Sequence, residues 1–125
     1  MEILSNSHFY NDNFIVFGHR GVPELCPENT KESFQKAIDL NYTGVELDLV
    51  QTLDKKIIVH HDNTVIINNK KTPINQLGHS QLLEYFPNIP ILEDLLDLIG
   101  HKTNINLEIK NQDSQSVFMV EKTIK

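Results

Sequence analysis

The sequence predicts an α/β fold built from parallel βαβ units, and three observations predict it. Apolar or alternating segments recur at Phe14–Phe17, Gly44–Val50 and Ile105–Ile109, each short enough for a core strand. Amphipathic stretches that read as helices separate them. Glycine, proline and asparagine fall between the segments, where the chain has to reverse. Strands alternating with helices indicate parallel units joined by crossover helices. Three such strands form either a small open sheet or part of a barrel.

Phe14-Ile15-Val16-Phe17 is a continuous apolar run ending at Gly18, the pattern of a strand buried on both faces. A loop follows, with Gly21, Pro23 and Pro27 as breakers. Asn29 is placed to cap a helix, with Glu32 completing a capping box; Phe34, Ala37 and Ile38 fall on one face of that helix. From Gly44 to Val50 the pattern alternates with period two. Val45, Leu47 and Leu49 face one way, and Glu46 and Asp48 the other. Asp54-Lys55 reads as a turn from which Ile57-Ile58-Val59 returns as a strand, and Asn68-Asn69 marks a second small hairpin. Ser80 to Tyr85 reads as a short helix. Pro90 leads into Ile91–Ile99, where Leu92, Leu95, Leu96 and Ile99 mark a helical stripe that Gly100 is placed to end. Ile105, Leu107 and Ile109 alternate with Asn106, Glu108 and Lys110 in the third core strand. Val117 to Ile124 reads as the start of another helix.

With 125 residues, a formal net charge of −6 and 39% hydrophobic residues, the chain suits one small domain with a limited core. The acidic balance argues against nucleic acid as a partner, because phosphate backbones recruit Lys/Arg surfaces. No apolar run reaches the ~18 residues that a membrane-spanning helix needs. Met1 to Asn13 lacks the basic start and apolar stretch of a secretory signal. The one cysteine, Cys26, permits no internal disulfide, which fits a reducing compartment. The expected location is cytoplasmic.

The polar residues gather at the ends of the expected core strands: His19-Arg20 on the first, Glu46 and Asp48 on the second, His61-Asp62 after the hairpin strand, Glu108 and Lys110 on the third. In a (β/α) barrel, functional groups collect at the C-terminal ends of strands. Glu46, Asp48 and Glu108 pointing at one volume would repel one another, and a hard divalent cation resolves that repulsion. Carboxylates without cysteine ligands select Mg²⁺ or Ca²⁺ over Zn²⁺. Arg20 and Lys110 add positive charge suited to phosphate. His19 and His61 add groups that exchange protons near neutrality. Together these parts suit cleavage of a phosphate ester, one histidine taking a proton and the other giving one. A lone Glu-x-Asp is more often a solvated strand face. Here the opposite face is purely apolar, and sheets of βαβ folds are covered on both sides. The Glu108/Lys110 pair alone reads as an ordinary surface ion pair. His8, His60, His79 and His101 read as structural or surface residues, and Cys26 as a small buried one.

Gly18-His19-Arg20-Gly21, Pro27-Glu28-Asn29-Thr30, Glu46-Leu47-Asp48 and His61-Asp62 together resemble the glycerophosphodiester phosphodiesterase family in order and spacing. Ile89-Pro90-Ile91-Leu92-Glu93 and Leu107-Glu108-Ile109-Lys110 are similar to two further segments of it. The match runs from about Phe14 to Lys110. The resemblance implies a (β/α)₈ TIM barrel with a small β-hairpin insertion after the second strand, of which this chain carries the first three core strands. It implies a divalent cation, Mg²⁺ or Ca²⁺, held by Glu46, Asp48 and Glu108. His19 and His61 would be the general acid and base, with Arg20 and Lys110 on the phosphate and Glu28 and Asn29 ordering the loop. The implied reaction hydrolyses glycerophosphodiesters to an alcohol and glycerol 3-phosphate, within lipid and glycerol metabolism.

The chain departs from that family twice. Lys55 stands where the family usually has glycine, at a turn that tolerates it. A complete barrel needs ~250 residues, so residues 1–125 are expected to be the N-terminal half, with self-association or a completing chain as the corollary. Two other readings stay open. One is a catalytically silent remnant that retains the motif residues. The other is a relative of phospholipase D-type toxins, which Pro27-Glu28-Asn29-Thr30 and His19-Arg20-Gly21 fit less well.

Overall fold

The computed structural model of the protein describes residues 15–109. Along the chain these form β1 (Phe17–His19), α1 (Lys31–Asp39), β2 (Gly44–Gln51), β3 (Ile57–Val59), β4 (Thr64–Ile67), β5 (Lys70–Pro73), a 3₁₀ turn (Ile74–Gln76), α2 (His79–Tyr85), α3 (Leu92–Ile99) and β6 (Asn104–Ile109). Lys110, His8 and the helix expected over Val117–Ile124 lie outside the described residues.

β2 is the neighbour that the other strands of the main sheet share. β1 pairs with it in parallel, His19 opposite Glu46. β6 pairs with it in parallel from Gly44↔Asn104 to Leu49↔Ile109. β3 folds back antiparallel on its end, Leu49 opposite Val59 and Gln51 opposite Ile57. The parallel β1-β2-β6 set with α1 and α3 crossing between its strands is the expected part of a TIM-barrel wall. The β4–β5 hairpin forms a separate two-stranded sheet, the expected insertion. Asn68 and Asn69 turn it with φ of 52° and 63°. Both are left-handed, as a tight two-residue hairpin turn requires.

Among the described residues the core divides into two apolar clusters, and the pleat explains the division. Val45, Leu47, Leu49, Ile57 and Val59 pack with Phe34 and Ala37 of α1 and Leu92, Leu95 and Ile99 of α3. Val50 and Ile58, which point the other way, pack with Val65, Ile74, Leu77 and Leu82 of the insertion and α2. Pro90 and Ile91 tie the entry of α3 to β3, through Val59 N–H donating to Pro90 O at 2.9 Å and a bridge between Ile58 and Ile91.

The structure corrects two expectations. The first strand is shorter and later than the apolar run suggests: Val16 is 37% exposed and Phe17 half-buried. Within the described sheet β1 has only β2 beside it, so one flank of the run lacks cover. Asn29 does not cap the first helix, and no capping box with Glu32 forms there. The cap is Thr30, which has the extended backbone a cap needs (φ −115°, ψ 158°) and whose Oγ1 accepts from Ser33 N–H at 3.3 Å. Asn29 instead has φ 55°, left-handed rather than the extended backbone typical of an N-cap. Gly100 does close α3, in right-handed conformation, donating to Leu96 O at 2.7 Å.

Candidate active site

The register of three parallel strands builds the site. Residues aligned across a parallel pair point to the same face. The pairs His19↔Glu46, Glu46↔Asn106 and Asp48↔Glu108 therefore put four functional groups and one asparagine on the face opposite Val45, Leu47 and Leu49. One carboxylate oxygen from each of Glu46, Asp48 and Glu108 lies within 4.8 Å of the others. His19 Nε2 stands 3.7 Å from Glu46 Oε1. His19, Glu46, Asn106 and Glu108 line an open cavity of about 540 Å³ that runs back along Phe17.

This crowding has an electrostatic consequence. The Glu46 side chain is 13% exposed. Burial pushes its carboxyl from 4.5 up to about 8, helped by the negative charge of Asp48 and by the hydrogen bond and charge of Glu108. A carboxyl that retains its proton near neutrality marks a place short of positive charge. Three oxygen donors with no sulfur or imidazole among them suit a hard divalent cation.

Arg20 supplies part of that charge from the β1–α1 loop. Its backbone N–H extends the β1 ladder to Glu46 O at 3.0 Å, and its φ is 59°. Its Nε lies 3.3 Å from Asp48 Oδ2 and its Nη1 3.2 Å from Glu28 Oε2. Asp48 is fully buried, so this ion pair is what makes its charge tolerable in the core. Gly21 shapes the same loop: its φ is +90°, and a Cβ there would sit 2.2 Å from Ser33 Oγ. Ser33 Oγ meanwhile accepts from Val22 N–H at 2.7 Å and donates to Arg20 O at 3.2 Å.

His61 follows β3. The preceding residue, His60, donates its backbone N–H to Asp48 O at 2.9 Å, which anchors this segment to the end of β2. His61 Nδ1 meets Asp62 Oδ1 at 2.6 Å, and its side chain is 37% exposed. His61 does not line the cavity beside His19. His60 turns to Asp62 O at 2.9 Å, in keeping with a structural role. Glu28, expected to order the loop, pairs with Arg20.

The sequence does not single out Asn106, and it points to Asn29 only as a helix cap and a loop-ordering residue. Asn106 faces the cavity directly opposite Glu46; the alternation of residues 104–109 was the signal for it. Asn29 reaches Asp48, its Nδ2 donating to Oδ2 at 3.2 Å. Thr30 takes the helix cap, so the Asn29 side chain is left to Asp48.

Fold and site define a class: a portion of a (β/α) barrel with a three-carboxylate cluster toward the C-terminal ends of its parallel strands. A profile of the glycerophosphoryl diester phosphodiesterase family matches residues 19–125, and the chain belongs to that family. A glycerophosphodiester phosphodiesterase of Caldanaerobacter subterraneus is 34% identical over 110 residues, covering 78% of this chain and 45% of the relative. The crystal structure of glycerophosphodiester phosphodiesterase from Thermotoga maritima superposes with a TM-score of 0.80 at 30% identity, over 91% of this chain and 51% of that one. An Oleispira antarctica phosphodiesterase, in complex with its product sn-glycerol-3-phosphate, shares the fold with a TM-score of 0.77 at 22% identity, over 92% of this chain and 53% of that one. The chain spans about half the length of the curated relatives it matches.

Proposed function

We propose that the protein hydrolyses glycerophosphodiesters to an alcohol and glycerol 3-phosphate, with a divalent cation, Mg²⁺ or Ca²⁺, held by Glu46, Asp48 and Glu108. The observation that carries the reading is the meeting of three carboxylates, within 4.8 Å of one another, beside His19 and Arg20 in a member of this family. The glycerol 3-phosphate in the distant Oleispira structure supports the ligand class.

A bound cation supplies charge that offsets the phosphate oxygens as the ester bond breaks. The remaining steps belong to side chains. Arg20, held by Asp48 and Glu28, has guanidinium N–H groups beyond those two contacts to offer to a phosphate oxygen. His61 has Nδ1 engaged by Asp62, which leaves Nε2 as the nitrogen that handles a proton. His19, two-thirds exposed at the cavity edge, handles the other. The substrate's glycerol hydroxyl attacks phosphorus while one histidine takes its proton. The other protonates the leaving alcohol, and water then opens the cyclic phosphate. Lys110 is assigned to the phosphate with Arg20, and Glu28 and Asn29 to the order of the loop. No described helix is long and apolar enough to cross a membrane. A cytoplasmic enzyme acting on small water-soluble diesters fits.

The test is release of glycerol 3-phosphate from glycerophosphocholine by the 125-residue protein, with Mg²⁺, with Ca²⁺ and with chelator. Release that needs cation and disappears in Glu46→Gln is expected. Cation binding without release would leave the site as a silent one and overturn the hydrolytic reading. Release that survives Glu46→Gln would overturn the assigned cation ligands.

A further inference from the structure

We infer that Asn29 is a positioning residue that fixes the Asp48 carboxylate for cation binding, an inference that rests on the proposed cation site at Glu46, Asp48 and Glu108. Asn29 is 4% exposed, and its backbone N–H donates to Arg20 O at 2.9 Å. Its φ of 55° is a left-handed conformation that asparagine accepts more readily than other non-glycine residues. That backbone directs the side chain away from the helix end, which Thr30 caps, and onto Asp48. There Nδ2 donates to Oδ2 at 3.2 Å, the same oxygen that Arg20 Nε approaches at 3.3 Å. One hydrogen bond, from Asn29, and one ion-pair contact, from Arg20, converge on that oxygen from the same loop and restrict how the carboxylate can turn. Oδ1 is then the oxygen turned to other partners.

A second observation separates this role from loop ordering alone. Asn29 Oδ1 is buried and has no hydrogen-bond partner among the described residues. An amide kept only to tie a loop would satisfy both ends, because a buried acceptor left open is costly. An open acceptor next to a buried carboxylate calls for a donor beyond the described residues. Water on a hydrated cation is such a donor, and Mg²⁺ keeps several of its waters. Groups that orient a ligating carboxylate typically change cation affinity by about 10- to 100-fold.

The experiment is titration of the whole 125-residue protein with Mn²⁺ or Mg²⁺ alone, by calorimetry and by Mn²⁺ magnetic resonance. The forms compared are the natural protein, Asn29→Gly, Thr30→Ala and Glu46→Gln. Glycine keeps the left-handed backbone and removes only the amide. Thr30→Ala loosens the same loop through its helix cap. Asn29→Gly is expected to bind at least about 10-fold more weakly, and Thr30→Ala to bind like the natural protein. Should Asn29→Gly fail to fold, nuclear magnetic resonance of the natural protein decides. The Asn29 side-chain amide should shift with saturation on Mg²⁺ addition, while the exposed Asn75 amide does not. Equal affinity in Asn29→Gly, equal weakening in Thr30→Ala, or an unmoved Asn29 amide would overturn the inference alone. Absence of any Glu46-dependent binding in the natural protein would overturn it together with the cation site.

Discussion

Glu46 holds its proton at pH values where an exposed glutamate has lost it, because it is mostly buried and two other carboxylates crowd it. A folded-state pKa raised from 4.5 to about 8 stabilises the cation-free fold fully below 4.5. That contribution is lost as pH climbs through about 8. In chelator, the Tm of the natural protein should therefore fall between those limits. Glu46→Gln, which mimics the protonated acid, should remove the decline, and Mg²⁺ or Ca²⁺ should restore the natural protein on the alkaline side. Thermal melts across that range check this, and parallel slopes in the two proteins would refute it. The acidic face itself was readable in the sequence, since Glu46 and Asp48 alternate with three apolar residues. The Asn29–Asp48 bond was not readable, because it depends on a left-handed φ that asparagine permits without requiring.

At the scale of elements, turns carry much of the specification. Among the described residues, Asn29, Asn41, Asn68 and Asn69 all adopt positive φ, and so does Lys55 at 68°. Asparagine here does work often given to glycine, and Lys55 occupies a left-handed turn site that glycine would fill at less steric cost. The β2–β3 turn reaches further than sequence spacing suggests. The N-terminus of α2 has no capping side chain of its own. Asp54 supplies one across the fold, accepting from His79 N–H at 3.0 Å and from Thr52 Oγ1 at 2.7 Å. The Thr52 bond, with lesser help from His79, lowers the Asp54 pKa below 3.8. Its stabilising effect is present above that value and fades as pH falls through the depressed one. Asp54→Asn should melt earlier than the natural protein near neutrality, and the gap should close in acid. A gap that is constant with pH would assign the difference to something other than the charge. Helices and strands were readable from periodicity; such long-range caps were not, because they follow from packing.

For the whole molecule, the two apolar clusters back onto each other through β2 and β3, and only one of them backs the carboxylates. Leu82 is fully buried in the insertion cluster. Leu82→Ala should cost about 2–5 kcal/mol, a large share of the roughly 5–15 kcal/mol typical of a domain. Cation affinity of the protein that stays folded should be unchanged, because the site is built on β2, β6 and the β1–α1 loop. Urea unfolding combined with Mn²⁺ titration below the transition checks both halves. Parallel strands and a barrel-like order were readable from the alternation of segments. Which strand borders which was not, because register is set by cross-strand packing rather than by any one segment.

The shared position of β2 has a bearing on how the gene tolerates change. Each residue from Val45 to Leu49 belongs either to the apolar layer under the helices or to the acidic side. A single codon gained or lost within this stretch would swap the two sets, exposing leucines at the cavity and burying acids beneath α1 and α3. Folding and chemistry would fail in the same step. Among variants that change the length of this stretch, those that remain soluble should thus be enriched for an intact site.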